Sequence, residues 1–166
     1  MRIEERDGKF VITSFDEIEA YKIACNIEKE GIHFYKKIAE KSYDAGIREV
    51  LDFLIEEELK HLKFFENRLY DLRQDEDDYA ENNDLIESLD LGIFQPYKSM
   101  DDLEKVLLQK SKALSLGIRV EQRSISFYKA CKDKVSVPEV KEELENIIGE
   151  EEKHKEKLKN LLTKSN

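Results

Sequence analysis

Two histidines stand three residues after a glutamate in matching surroundings: Glu58 with His61, and Glu151 with His154. Residues three apart on a helix share a face, so each pair presents a carboxylate and an imidazole together. Thirty residues before each of these glutamates stands another, Glu28 and Glu121, and seven residues after those stand Tyr35 and Tyr128. The pattern repeats at an offset of 93 residues, and 15 of the 42 positions aligned between Glu28–Leu69 and Glu121–Leu162 are identical. Four carboxylates and two imidazoles are the donor set of a transition-metal site with mixed oxygen and nitrogen ligands. A lone Glu-x-x-His would carry little weight in so acidic a chain, and Glu30 also precedes His33 by three. His33, however, lies about 140° round its helix from Glu28, so it reads as a surface histidine.

The elements must bring those residues to one place. With Glu58 as the origin of its helix, Ile47, Leu51, Leu54, Ile55, Leu62, Phe65 and Leu69 fall within about 60° of it at 100° per residue. Glu58 is therefore central to an apolar stripe. Glu151 is flanked in the same way by Val140, Leu144, Ile147, Ile148, Leu158 and Leu162. Glu28 shares its stripe with Ala24, Cys25, Ile32, Tyr35 and Ala39, and Glu121 with Leu114, Gly117, Ile118, Ile125 and Tyr128. Each glutamate lies about 15 residues from the turn of its hairpin, roughly 22 Å along the helix, so all four are level. Four unpaired carboxylates in one core would each cost several kcal/mol to desolvate. The stripes hold almost no Lys or Arg to offset that, whereas two divalent cations would cancel four negative charges. The competing reading is a solvated charge network in a looser bundle. For Tyr35 and Tyr128 two roles stay open: core packing, or a hydrogen bond that orients a metal-bound carboxylate.

Four helices follow from the periodicity. Helix 1 is predicted from Ser14, with Glu17 completing a capping box, to about Ser42. Helix 2 is predicted from Ala45, capped by Asp44, to Arg73. A polar linker, 74–98, has a short helix predicted at 84–89, and its acidic run Asp75–Asp78 reads as a solvated loop. Helix 3 is predicted from Met100, capped by Ser99, to Lys134. Ser136, Pro138 and Glu139 are read as the opening of helix 4, which continues to Leu162. The two connections within hairpins 14–73 and 99–163 are short and the one between helices 2 and 3 is long. That is the ferritin-like four-helix bundle with one crossover, spanning 14–163. Residues 1–13 form an extension in which Asp7-Gly8 between alternating runs signals a β-hairpin, which must lean on the bundle or on a partner.

Composition sets the limits. The chain has 166 residues, 40% hydrophobic and 40% charged, with six Gly and two Pro. That is too few turn residues for a sandwich or barrel, so an all-α domain is expected. The formal charge of −10 argues against nucleic acid or an anionic membrane as partner and is permissive for cations. Neither a membrane-spanning run nor a signal-peptide core is evident, and Cys25 and Cys131 form no CxxC, so a cytoplasmic location is the expectation. Both cysteines read as small buried packers.

The stretches IEKEGIHFYKKIAEKS with IEEELKHLKFF, and VEQRSISFYKACKDK with GEEEKHKEKL, resemble the rubrerythrin-like branch of the ferritin-like di-iron carboxylate proteins across about 20–162. The resemblance implies two iron ions, with Mn or Zn as other occupants. Glu28, Glu58 and His61 would hold one half, and Glu121, Glu151 and His154 the other. Glu58 and Glu151 would bridge, Glu28 and Glu121 would be terminal, and Tyr35 and Tyr128 would stand behind them. It implies redox chemistry on peroxide or dioxygen, peroxidase- or ferroxidase-like. Rubrerythrins proper carry a further Glu where this chain has Ser124, and a four-cysteine rubredoxin segment that these 166 residues lack. Electrons would then come in trans, from a partner such as a rubredoxin-like protein. The alternative is a metal storage or delivery module without turnover, and a third class is a structural bundle acting as a protein partner. A homodimer is the expected assembly.

Overall fold

Asp7 and Gly8 take φ of 52° and 73°, the pair of left-handed conformations that a type I′ turn requires. They join strand β1, Arg2–Arg6, to strand β2, Lys9–Ser14, in an antiparallel ribbon. The register is irregular between Arg2 and Ile3: Arg2 pairs with Ser14 and Ile3 with Ile12. The computed structural model describes residues 1–74 and 109–164.

The helices are α1, Glu17–Lys41; α2, Ala45–Gln74; α3, Lys110–Lys132; and α4, Pro138–Thr163. Helix α1 opens at Asp16, whose carboxylate accepts from the Glu19 N–H at 2.7 Å. The predicted cap at Ser14 is thus two residues too early, because Ser14 is held in β2 opposite Arg2. Asp44 does cap α2, accepting from the Ile47 N–H at 3.1 Å. At α4 the cap position is Val137, with no side-chain hydrogen bond, and Pro138 opens the helix. Ser136 stands one residue outside, so the fixed φ of Pro138 rather than a hydroxyl cap sets this start. The predicted linker short helix at 84–89, the Ser99 cap and the first turns of helix 3 lie outside the described residues.

Helix α1 packs along α2 and α3 along α4, and the two hairpins meet through α1–α3 and α2–α4 contacts. This is a ferritin-like four-helix arrangement. Leu51, Leu54, Leu114, Ile125, Leu144 and Leu158 are essentially inaccessible to solvent. Burying each such side chain contributes about 1.5–3 kcal/mol, and they belong to the apolar core that shares the bundle interior with the polar residues described below.

The β-ribbon leans on α3. Ile12 is buried, the Phe10 N–H donates to Ser126 Oγ at 3.0 Å, and the Phe10 ring meets Phe127 edge-on at 6.4 Å. Arg123 lies 4.7 Å over the Phe10 ring and donates to both Glu5 oxygens at 3.1 and 3.2 Å. A two-stranded ribbon is marginal alone, so these contacts stabilise it. Among the described residues no helix is long and apolar enough to cross a membrane.

Candidate metal centre

Glu28, Glu58, His61, Glu121, Glu151 and His154 are all exposed by 3% or less. They form two clusters, Glu28–Glu58–His61–Glu151 and Glu58–Glu121–Glu151–His154, and the donor atoms within each lie within 4.8 Å of one another. Donors bound to one cation at about 2.0–2.2 Å must lie that close together. Glu58 and Glu151 belong to both clusters, one from each hairpin. The structure thus brings all six predicted residues to one place.

The approach of each imidazole is the same. His61 Nδ1 lies 3.2 Å from Glu58 Oε2 and 3.1 Å from Glu151 Oε1. His154 Nδ1 lies 3.1 Å from Glu151 Oε2 and 3.5 Å from Glu58 Oε1. The rings face each other at 5.9 Å with 24° between their planes. Each shared carboxylate therefore has one oxygen towards each histidine.

The two tyrosines act across the bundle. Tyr35 on α1 donates to Glu121 Oε1 on α3, and Tyr128 on α3 donates to Glu28 Oε1 on α1. Both phenols are fully buried. Of the two roles open at the sequence level, the structure places them on the carboxylates, each on that of the opposite half. Gly117 lets α3 close on this arrangement: a Cβ there would stand 3.4 Å from Tyr35 Cε1 and 3.1 Å from Leu158 Cδ1.

Charge balance decides what the cluster can hold. Burial, then the charges of Glu58 and Glu151, push the Glu28 carboxyl well above the usual carboxylate range. Burial, then Glu151 and Glu58, do the same to Glu121. Burial also opposes ionisation of Glu151, but the His154 and His61 imidazoles against it outweigh that and hold its carboxyl well below its ordinary value. Burial alone would lower both imidazoles. The facing Glu151 and Glu58 carboxylates win, pushing His61 up to about 12 and His154 up to about 9. Among the described residues the ion-pair partners of Glu28, Glu58 and Glu151 are these two histidines, while Glu121 accepts from the Tyr35 hydroxyl. Without metal, protons must do the neutralising. Glu151 Oε1 nonetheless accepts no hydrogen bond although it is buried, with His61 Nδ1 3.1 Å away. An unpartnered oxygen beside a shared carboxylate and two imidazoles is chemistry that fits a divalent cation.

Glu150 was missed at the sequence level. Its carboxylate meets His61 Nε2 at 2.8 Å, on the side away from the cluster. The available signal was its identity with Glu57 in the repeat. His33 is exposed, and Cys25 and Cys131 are free and buried, as expected from their positions. Burial pushes their thiols up to about 11 and about 12. Ser124 is buried and donates to the Val120 carbonyl of its own helix at 3.2 Å, so it adds no carboxylate to the set.

The rubrerythrin family profile matches residues 3–70 and 103–166. The chain belongs to the rubrerythrin family. A crystal structure described as that of a ferritin-like diiron-carboxylate protein from Thermotoga maritima is similar to it. The TM-score is 0.69 at 21% identity, over 92% of this chain and 97% of the other. At that identity the likeness bears on the fold. No curated protein matches. Family, fold and the buried Glu/His clusters together fit a di-iron type of metal site.

Proposed function

We propose that this protein holds two iron ions and uses them in redox chemistry on peroxide or dioxygen, with electrons supplied in trans. The observation that carries the reading is the pair of clusters sharing Glu58 and Glu151. Glu28, Glu58, His61 and Glu151 would hold one ion, and Glu58, Glu121, Glu151 and His154 the other. An iron pair supplies two electrons to an oxidant, one from each ion, and can do so at open coordination positions.

The residues of the chain do the rest. The shared carboxylates keep the two positions adjacent. The Tyr35 and Tyr128 hydroxyls hold Glu121 and Glu28 against swinging away, since each buried carboxylate oxygen already has its donor. Burial of all six side chains within the apolar core keeps bulk water from them. The electron donor would be a partner acting in trans, such as a rubredoxin-like protein. Mixing the Fe(II)-loaded protein with hydrogen peroxide in a stopped-flow instrument tests the reading. A fast absorbance rise is the expected result. Two tightly bound irons without that rise would contradict turnover and leave a storage or delivery module.

A further inference from the structure

His61 presents Nδ1 to the cluster and turns Nε2 away, where Glu150 Oε2 lies at 2.8 Å. Glu150 adjoins Glu151 on α4, so its carboxylate reaches the imidazole of the opposite hairpin. It is half-exposed, in contrast to the buried ring it meets. The repeat gives Glu150 an equivalent in Glu57. There the outcome differs. Lys60 takes the Glu57 carboxylate, and the ring of His154 meets the edge of Phe53 at 6.2 Å. Lys157 lies 4.3 Å over that same Phe53 ring. The residue equivalent to Phe53 is Asn146, so the surroundings of the two imidazoles are unlike.

We propose that Glu150 is a positioning residue that makes the two metal positions unequal. Its hydrogen bond to His61 Nε2 lets the position flanked by Glu28, Glu58, His61 and Glu151 hold a divalent cation more tightly than its mate. The inference rests on the metal-site reading above. A carboxylate accepting from the outer N–H of an imidazole fixes the ring's orientation, keeps the inner nitrogen's lone pair aimed at the metal, and strengthens it as a donor. Loss of such a contact costs about 10–100-fold in metal affinity. Among the described residues, His154 has no carboxylate placed to do the same.

The test is titration of the metal-depleted full chain with Co(II), followed by its visible spectrum and by calorimetry. The wild type is expected to fill in two steps whose affinities differ by at least about tenfold. Glu150→Ala should weaken the tighter step by about 10–100-fold and leave the weaker one in place. Glu57→Ala should leave both steps unchanged. Glu150→Gln keeps the shape and should weaken the tighter step by less. It carries the comparison if the alanine variant does not fold. Nitrogen-15 spectra of the imidazoles add a readout that general loosening would not move: a protected His61 Nε2–H signal in the wild type, lost in Glu150→Ala. Two equal steps in the wild type, or equal weakening of both steps in Glu150→Ala, would overturn the inference while leaving the metal site standing. No Co(II) uptake by the wild type would bring down the metal-site reading itself, and this inference with it.

Discussion

The two helical hairpins agree where they face each other and diverge just behind that surface. Each offers a Glu, a Glu-x-x-His and a tyrosine, and each histidine meets the same pair of shared carboxylates. Behind the ligands, His61 leans on Glu150 while His154 meets Phe53. The Tyr128 ring stacks on Phe65 at 5.3 Å, whereas Tyr35 packs on Phe34 at 5.4 Å with Gly117 beside it. Holding two cations fixes donor types and positions within tenths of an ångström. The packing behind need only fill space and satisfy hydrogen bonds, and several side-chain sets can do that.

The harshest way to break the likeness is to remove what the halves share. Glu58→Ala combined with Glu151→Ala should abolish binding of both ions, measured as metal per chain after iron loading. Retention of two irons by that variant would remove the site assignment. Glu28→Ala and Glu121→Ala attack one half each. Each should lower the stoichiometry from two towards one, Glu28→Ala emptying the side of His61 and Glu121→Ala the side of His154.

A pH series sharpens the difference between the histidines in the metal-free protein. His154 is raised from 6.5 to about 9, so its contribution to stability is complete below pH 6.5 and is lost as pH rises through 9. His61, up at about 12, keeps its proton in the folded chain through that window while the unfolded chain gives it up, so its contribution falls over the same range and goes on falling above pH 9, where that of His154 levels off. The raised carboxyls Glu28 and Glu121 act in the same direction, because the unfolded chain gives up protons that the folded chain keeps. The melting temperature of the metal-free protein should therefore fall between pH 6.5 and 9, while that of the metal-loaded protein should change much less. A flat profile for the metal-free form would contradict this charge balance.

The smallest effect is expected from the tyrosines. Tyr35→Phe and Tyr128→Phe each leave a buried carboxylate oxygen without its donor, at a cost of about 1–3 kcal/mol in stability. Chemical denaturation of the two variants should give losses of similar size, since the two phenols make equivalent bonds. Unequal losses would place one of them outside the matched surface.

Much of this was legible in the sequence for a physical reason. An acid in the middle of an apolar stripe is costly, so Glu28, Glu58, Glu121 and Glu151 stood out once helical angles were counted. The repeat then tied each to a histidine or a tyrosine. Asp7-Gly8 marked the ribbon because few other pairs accept two left-handed conformations. The caps were less legible. Ser14 and Asp16 both have a glutamate three residues on, and only the pairing of Ser14 with Arg2 decides between them. That Tyr35 serves Glu121 rather than Glu28 was hidden as well, because periodicity fixes the face of a helix and says nothing of the partner across the core. Glu150 was hidden by rotamer choice: Glu57 and Glu150 each have a Lys three residues later, yet only Glu57 is taken by it.

Diffraction at the iron absorption edge, from crystals of the protein loaded with Fe(II), asks most directly why these acids lie buried. Two anomalous peaks are predicted, both touching Glu58 and Glu151, one beside His61 and one beside His154. A well-ordered interior with no peak, or carboxylates turned out to solvent, would contradict the account.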